Sequence, residues 1–414
     1  MDFSRVTHFL DSLKDIGIPG ADLAIFIKGK EVYRHQTGVA DIDTQTPIMP
    51  DTLYPIYSMT KVVTCVSALR LFEEGLFLLT DPVSEYLPEF KNMQVRHVRD
   101  NGEVYIEPAR NPIRIVDLFT MSSGLTYEKT PALERMGKRK KGNYSLAEFS
   151  TAISKDPLYF EPGTHWHYGF SHDVLGYLIE VLSGKSLGEY FDENIFSPLG
   201  MTDTFFKLPE EKESRLVKCY SYNEKTKKYS APETLPIRYD FDNKYESPGA
   251  GLISTVDDYA KFANTLCATV ACACGSSAGG AITGSKGWAS SVGKHPLLSK
   301  ATIELMRTNH LDEARMCDYN WLHHSGYGYG LGVRTMVDKA SGGSNSSIGE
   351  FGWSGLAGTF VLMDPALDLT YVYAQQLAPS KEEYVAPRLR NIIYGCLQFL
   401  SRGSKLSVKA SVHR

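Results

Sequence analysis

Apolar residues near the two ends of the chain are arranged as they are in β-strands. Two β-rich runs, Leu23–Ile27 and Glu31–His35, are separated by Lys28-Gly29-Lys30, in which the glycine can supply a positive φ. A second pair lies near the other end, where Gly358–Met363 and Leu369–Gln375 flank a polar turn. The pattern predicts two hairpins, and therefore a sheet built from both ends of the chain.

The middle of the chain shows helical spacing instead. Residues Thr60–Glu74 carry apolar side chains at intervals of three and four and stop at Gly75. Residues Asp173–Leu182 follow the same rule and stop at Gly184. Strands from both termini around a helical middle predict an α+β architecture.

This organisation predicts a discontinuous domain. We expect a sheet domain from residues 1–57 and 206–400, a mainly helical region over 58–205, and an active site between them. From Cys267 to Gly293 the composition changes to Ala, Gly, Ser and Cys, which offers few large side chains to bury and indicates a surface insertion. The basic, polar end, Ser401–Arg414, is expected to be a flexible tail.

Composition and charge exclude several classes of function. The chain has 44 Lys and Arg against 48 Asp and Glu, so its formal charge of −4 offers no large positive field, and we expect no nucleic-acid partner. The first residues, Met1–Leu13, do not form a signal peptide, and no run of apolar residues is long enough to span a membrane. We therefore expect a soluble, cytoplasmic protein with no membrane partner.

The strongest candidate for chemistry is Ser58-Met59-Thr60-Lys61 at the start of the predicted helix. Residues three apart share a helical face, so the serine hydroxyl and the lysine amine can hydrogen-bond. A serine hydroxyl becomes a good nucleophile when a base takes its proton, and a desolvated lysine can serve. The N-terminus of the helix adds backbone N–H donors for a developing oxyanion.

Two other segments offer a weaker nucleophile. Ser291-Val292-Gly293-Lys294 repeats the Ser-x-x-Lys pattern, but it contains glycine and lies at the end of the predicted insertion. Gly275-Ser276-Ser277-Ala278-Gly279 matches the Gly-x-Ser-x-Gly nucleophile elbow, in which a helix must follow the serine. The next residues, Gly280–Ser285, are broken by glycine and make a poor helix start. Ser58 is therefore preferred over Ser277.

Several ordered motifs resemble one known family. Ser58-Met59-Thr60-Lys61 resembles the first motif of class C β-lactamases and family VIII carboxylesterases, and Glu161–Tyr168 resembles the segment that ends in the catalytic tyrosine of that family. Gly352-Trp353-Ser354-Gly355 resembles the third motif. Further similar segments are Asp173–Gly176, Pro198–Thr204 and Gly249–Thr255. The resemblance covers about residues 15–400 and implies a β-lactamase/transpeptidase-like fold, with an antiparallel sheet flanked by helices and a mainly helical inserted region.

The chain departs from the β-lactamases at two of these motifs. Tyr168-Gly169-Phe170 has an aromatic ring where β-lactamases have the asparagine of Tyr-x-Asn. Trp353-Ser354-Gly355 replaces Lys-Thr-Gly, so a cation that attracts the substrate carboxylate is exchanged for an indole. Both changes favour neutral ester substrates of the family VIII type, with Phe170, Trp353, Ser354 and Gly355 as substrate-binding residues.

The resemblance also implies a mechanism. Ser58 attacks the ester carbonyl, Lys61 and Tyr168 handle its proton, and the backbone N–H groups of Ser58 and Leu356 form the oxyanion hole. Which of Lys61 and Tyr168 is the base stays open. A β-lactamase or D-amino-acid peptidase, an acyltransferase and a catalytically silent binding protein remain alternatives.

The resemblance requires no metal or organic cofactor, and the histidines do not suggest one. His165, His167 and the pair His323-His324 are accompanied neither by a His-Glu-x-x-His motif nor by a matching set of carboxylates. We expect these histidines to lie in turns or on the surface.

Overall fold

An antiparallel sheet of eight strands lies at the centre of the structure, a computed structural model that describes residues 1–128, 130–140, 143–232, 244–271 and 296–397. The strand order is β10-β11-β12-β13-β14-β1-β2-β3, so strands from the two ends of the chain are neighbours, which confirms the predicted fold class. The remaining strands form the pairs β4–β9, β5–β6 and β7–β8. The strands are β1 (Gly20–Ile27), β2 (Lys30–Asp41), β3 (Thr46–Pro47), β4 (Tyr54–Pro55), β5 (Gln94–Val98), β6 (Val104–Pro108), β7 (Ser221–Asn223), β8 (Lys228–Ser230), β9 (Ile253–Ser254), β10 (Tyr327–Tyr329), β11 (Arg334–Met336), β12 (Phe351–Ser354), β13 (Phe360–Asp364) and β14 (Leu369–Gln375).

Helices cover the sheet and fill the middle of the chain. The first and last of them in the described part of the chain, α1 and α13, are in contact with each other. The helices are α1 (Ser4–Ser12), α2 (Thr60–Glu73), α3 (Ile115–Phe119), α4 (Pro131–Lys140), α5 (Leu146–Ile153), α6 (Ser171–Ser183), α7 (Leu187–Phe191), α8 (Ser197–Leu199), α9 (Val256–Ala271), α10 (Lys300–Met306), α11 (Glu313–Asp318), α12 (Lys339–Gly342) and α13 (Glu382–Leu397). Among the described residues no helix combines the length and apolar character needed to cross a membrane.

The turn between β1 and β2 explains why the first hairpin forms where the sequence predicts it. Lys28 and Gly29 have φ values of 51° and 65°, the positive φ at both central positions that suits a tight two-residue hairpin. The strands extend beyond the predicted runs, because β1 also pairs along its length with β14, from Ala21 opposite Gln375 to Ile27 opposite Leu369. The pairing of β1 with β14 thus joins strands from the two ends of the chain in one sheet.

The alternation of side chains in β1 divides the interior into two cores. Leu23 and Ile25 belong to the core that α1 and α13 cover, whereas Ala24 and Phe26 belong to the larger core that contains α2 and α9. Successive residues of a strand point to opposite faces, so one strand can supply both cores. The sheet is therefore covered by helices on both faces.

Helix α2 lies within the larger core and is buried on nearly every side. Its buried residues include polar Thr60, Lys61, Thr64 and Ser67 as well as apolar residues. It packs against α6, which ends at Gly184 in a left-handed conformation (φ 69°), as the sequence predicts. A helix enclosed in this way has a fixed orientation, and it fixes the side chains at its N-terminus.

Two parts of the chain differ from expectation. The mainly helical middle also contains the β5–β6 hairpin. Helix α9 runs through Cys267 to Ala271, with Cys267 fully buried, so these first residues of the expected insertion belong to a packed helix. The small residues Ala and Cys suit close packing as well as a loop, which explains the misplaced boundary. The rest of the expected insertion and the expected tail lie outside the described residues.

Candidate active site

Ser58 follows a residue with a strained backbone. Tyr57 has a φ of 44°, which is costly for a bulky side chain, and its ring is buried. Ser58 lies within a short 3₁₀ turn, Tyr57–Met59, that leads directly into α2, and its side chain is partly buried. The strained turn places the serine hydroxyl at the N-terminal end of the buried helix, where it faces Lys61.

Lys61 is the buried cation at this site. Its Nζ donates to the Ser58 Oγ at 3.2 Å and to the backbone carbonyl of Gly249 at 2.6 Å. The side chain is 0% exposed, so these contacts replace water around the amine. The predicted pairing of the serine hydroxyl with the lysine amine is present in the structure.

A buried carboxylate accompanies this lysine. Asp173, in the first turn of α6, is 2% exposed and accepts a hydrogen bond from the Tyr245 hydroxyl at 2.5 Å. A Cβ atom at position 249 would lie 2.7 Å from Asp173 Oδ2, so glycine is required for the loop to pass this close. Burial raises the pKa of Asp173 to about 6, although Lys61 and the Tyr245 hydroxyl favour the anion.

The surroundings of Lys61 hold it in the charged form. Burial alone would lower the pKa of this amine. The electrostatic influence of Tyr127, Tyr168 and Asp173 outweighs burial, and the pKa of Lys61 is raised above its usual value. At neutral pH the lysine is therefore an ammonium that donates hydrogen bonds.

Tyr168 lies beside this ammonium. The Lys61 Nζ is 4.8 Å from the centroid of its ring, and the Trp353 Nε1 donates a hydrogen bond of 3.1 Å to its hydroxyl. The indole of Trp353 is only 1% exposed, so its face is not the substrate wall that the sequence led us to expect. Trp353 instead positions Tyr168 through the hydrogen bond to its hydroxyl.

A second tyrosine, Tyr127, lies near the same lysine, and no motif in the sequence predicts it. Its ring centroid is 5.6 Å from the Lys61 Nζ, and its side chain raises the pKa of Lys61. The residue is 40% exposed, and its ring centroid lies 5.6 Å from that of Tyr168 and 4.7 Å from that of Phe170. No motif surrounds Tyr127, and it comes to the site only because the chain folds back there.

Phe170, a predicted substrate residue, precedes α6, and its ring contacts that of Tyr127. Ser354 ends β12, and Gly355 and Leu356 follow it in the loop. A Cβ at Gly355 would lie 2.4 Å from the Ile56 carbonyl oxygen, so this loop packs against the backbone just before Ser58. Leu356 is 47% exposed, and no described backbone carbonyl accepts its N–H, so this donor is free for an oxyanion. Ser354 is largely buried, and its side chain partly offsets the rise that burial causes in the pKa of Glu382.

Some of the sequence candidates lie elsewhere. The second Ser-x-x-Lys, Ser291–Lys294, and the elbow Gly275–Gly279 are outside the described residues. Among the histidines, His165 is exposed as expected and contacts Asp318 at 3.0 Å. His324 lies in a short 3₁₀ turn, Leu322–His324, but it is buried there, with only 3% of it exposed.

A family comparison agrees with this geometry. The model of the family described as Beta-lactamase matches residues 6–394, nearly the whole described chain. The chain belongs to the Beta-lactamase family. The comparison supports a serine hydrolase fold of the β-lactamase type.

Individual relatives are similar over different lengths. Protein Rv1367c of Mycobacterium tuberculosis is 29% identical over 376 residues, which cover 87% of this chain and 86% of the relative. Acyltransferase calJ of Penicillium decumbens is 34% identical over 188 residues, 44% of this chain and 45% of calJ. The solved structure of EstCE1, described as a hydrolase with promiscuous acyltransferase activity, has a TM-score of 0.74 at 22% identity and covers 95% of this chain and 98% of its own.

The hydrogen bond from Trp353 to Tyr168 predicts a measurable effect on the reactivity of Ser58. Trp353→Phe keeps an aromatic ring but removes the N–H donor, and we expect Ser58 to react about tenfold more slowly with a fluorophosphonate, the effect of one hydrogen bond. The matched control is Trp321→Phe, since that ring also contacts Tyr168, at 5.3 Å, without donating to its hydroxyl. Equal labelling rates in the two variants, at equal thermal stability, would contradict the role of the indole.

Because Asp173 is charged, we expect its removal to change the pH dependence of the rate at which Ser58 is labelled. The direction of the change also identifies the base. Asp173→Asn removes an anion that raises the pKa of Lys61, so the lysine should lose its proton at lower pH than in the wild type. If the ammonium is needed, a falling alkaline limb of the labelling rate moves to lower pH in this variant. A rising limb that moves to lower pH would show instead that neutral Lys61 is the base.

The control for this experiment is a second carboxyl group on α6 whose pKa is also raised. Glu180 has its pKa raised to about 7, chiefly by burial, and Lys61 is not among the groups that influence it. Glu180→Gln should therefore leave both limbs of the pH profile where they are in the wild type.

Proposed function

We propose that this protein is a serine carboxylesterase that hydrolyses small neutral esters through an acyl-enzyme on Ser58. The observation that carries the proposal is the 3.2 Å contact between the Ser58 hydroxyl and the buried Lys61 amine, beside Tyr168. The nucleophile, a cation and a proton acceptor are together at the start of one helix. The family membership supports this arrangement as that of a serine hydrolase.

The proposed reaction uses Lys61 as a fixed cation and Tyr168 as the group that moves the proton. Because Lys61 is already protonated, the Ser58 proton passes to the Tyr168 oxygen as Ser58 Oγ bonds to the ester carbonyl carbon. The phenolic proton of Tyr168 passes on to the leaving oxygen, so the tyrosine stays neutral overall. The Lys61 ammonium lies beside the Tyr168 ring and the Trp353 N–H donates to its oxygen, so both stabilise the negative charge that develops on this oxygen during the transfer. The N–H groups of Ser58 and Leu356 stabilise the oxyanion, a contribution of about 3 kcal/mol per donor.

The second half of the reaction restores the enzyme. Tyr168 gives its proton to the leaving alkoxide, which departs as the alcohol and leaves an ester bond on Ser58. Water then attacks that bond and gives a proton to Tyr168, and the carboxylic acid leaves as Ser58 recovers its hydrogen from the same tyrosine. The scheme conserves protons and uses only groups of this chain.

The preference for neutral substrates is supported by position 353 and by the rim of the site. Trp353 adds no positive charge where β-lactamases of this family have a lysine, and its single donor is engaged by Tyr168. Two apolar or aromatic side chains at the site, Tyr127 and Leu356, are 40% and 47% exposed. A substrate carboxylate would lose hydration there without gaining a partner, whereas a neutral ester loses little.

Acyl transfer to an alcohol is the second candidate function. It is favoured by the likeness to acyltransferase calJ, 34% identical over 188 residues. In this reaction an alcohol replaces water in the attack on the acyl-enzyme, and no other step changes. Analysis of the products formed with an added alcohol distinguishes a new ester from the free acid.

The first test of the proposal compares two serines. Ser58→Ala should lower kcat/KM for p-nitrophenyl butyrate at least a thousandfold, because the acyl-enzyme cannot form. The matched variant Ser277→Ala, which changes the serine of the competing elbow, should retain most of the activity. We also expect the wild type to hydrolyse this ester with a higher kcat/KM than a chromogenic cephalosporin. Equal losses in the two variants, or a preferred cephalosporin, would refute the proposal.

The second test compares the two tyrosines at Lys61. Tyr168→Phe should lower kcat at least a hundredfold, the usual scale for a positioned proton transfer. Tyr127→Phe should lower it by about tenfold at most, since it removes a hydroxyl near the Lys61 ammonium but not the acceptor of the proton. The reverse order of the two effects, measured with the same ester, would assign the proton transfer to Tyr127.

A further inference from the structure

Two neighbouring histidines and a distant glutamate meet beside the active site. His323 and His324 lie on a short 3₁₀ helix, Leu322–His324, and Glu382 is the first residue of α13. One ligand atom from each of the three lies within 4.8 Å of the others, and His323 Nε2 is 3.9 Å from Glu382 Oε1. Strands β10 to β14 lie between the two histidines and Glu382 along the chain. The fold therefore brings this carboxylate to the histidines.

The imidazole of His324 is the independent sign that a ligand belongs here. It is 3% exposed, and among the described residues neither its Nδ1 nor its Nε2 has a hydrogen-bond partner. Buried polar groups are nearly always partnered, and an imidazole with two free nitrogens calls for a bound species.

We propose that His323, His324 and Glu382 form a binding site for a divalent transition-metal ion of the zinc type. Two imidazole nitrogens and one carboxylate oxygen are ligands that zinc accepts, with a fourth position left for water. Bonds of about 2.0–2.1 Å place tetrahedral ligand atoms roughly 3.4 Å apart, so the three groups must approach one another by about 1 Å. His323 and Glu382 have side-chain exposures of 22% and 16%, which gives the ion a path from solvent.

The charges around the cluster limit how tightly it binds. Arg334 is largely buried and acts electrostatically on both histidines and on Glu382, and Arg390 acts on His324. The charge of Arg334 is partly balanced by Glu350. We therefore expect weaker binding than at a structural zinc site, whose ligands face no such cations.

The site adjoins the active site without including its reacting groups. The Trp321 ring is stacked on His323 at 6.1 Å, and the Trp353 ring is 5.4 Å from His324. Trp353 in turn donates to the Tyr168 hydroxyl. Two tryptophans thus lie close enough to the proposed ion for their fluorescence to report its binding.

Cobalt binding to the full chain tests the proposal. The protein, free of any affinity tag and treated with a chelator, is titrated with Co²⁺ while visible absorption and tryptophan fluorescence are recorded, and Zn²⁺ is then added as a competitor. We expect one Co²⁺ per chain, the visible bands of four-coordinate cobalt, quenched fluorescence, and reversal of the bands by Zn²⁺.

Variants establish where the ion binds. His323→Gln and Glu382→Gln change the two partly exposed ligands, and each should weaken Co²⁺ binding at least tenfold. His8→Gln changes an exposed histidine on α1 and should leave binding unchanged. The absence of cobalt bands in the wild type, or bands that persist in both ligand variants, would overturn the proposal. If Glu382→Gln does not fold, as judged by circular dichroism, His323→Gln alone decides the question.

Discussion

The buried ammonium of Lys61 is the interaction on which the rest of the site depends. Removing a charged group from water costs free energy unless hydrogen bonds and an opposite charge compensate for the lost hydration. The Ser58 hydroxyl and the Gly249 carbonyl accept its hydrogen bonds, and Asp173 supplies negative charge from a helix across the site. The compensation keeps Lys61 charged, and a charged lysine cannot take the serine proton. In the proposed reaction, this constraint gives the role of base to a tyrosine.

The fold supplies these groups from separate elements that cannot shift independently. Lys61 belongs to α2, which is enclosed in the larger core, and Asp173 belongs to α6, which packs against α2. Trp353 is buried on β12, an inner strand of the sheet, and holds Tyr168. Each group is therefore anchored by packing, and the serine and its partners keep their positions without a bound substrate.

Local patterns were sufficient to predict much of the fold and the pair at its centre. The hairpin at Gly29, the end of α6 at Gly184 and the spacing of Ser58 and Lys61 each depend on a few consecutive residues. The family resemblance extended this to the overall architecture. Strand patterns at both ends of the chain also indicated that both ends contribute to one sheet. Such a pattern can be recognised in a strand's own residues, without knowing which strand it pairs with.

Contacts between distant segments could not be predicted in the same way. Tyr127 has no motif around it, and the burial of Trp353 depends on the whole sheet. The approach of Glu382 to His323 and His324 joins α13 to a turn before β10, which no spacing in the sequence reveals. Such contacts follow from topology, and they decide how the site works.

The covalent intermediate is the most direct test of the central claim. A nitrophenyl ester is mixed with the enzyme, the reaction is quenched in acid during turnover, and the modified peptide is located by mass spectrometry. The account predicts one acyl group, carried by Ser58, in the wild type and none in Ser58→Ala. Steady turnover with no acyl group on Ser58, or an acyl group on another residue that forms and decays at the rate of turnover, would contradict it.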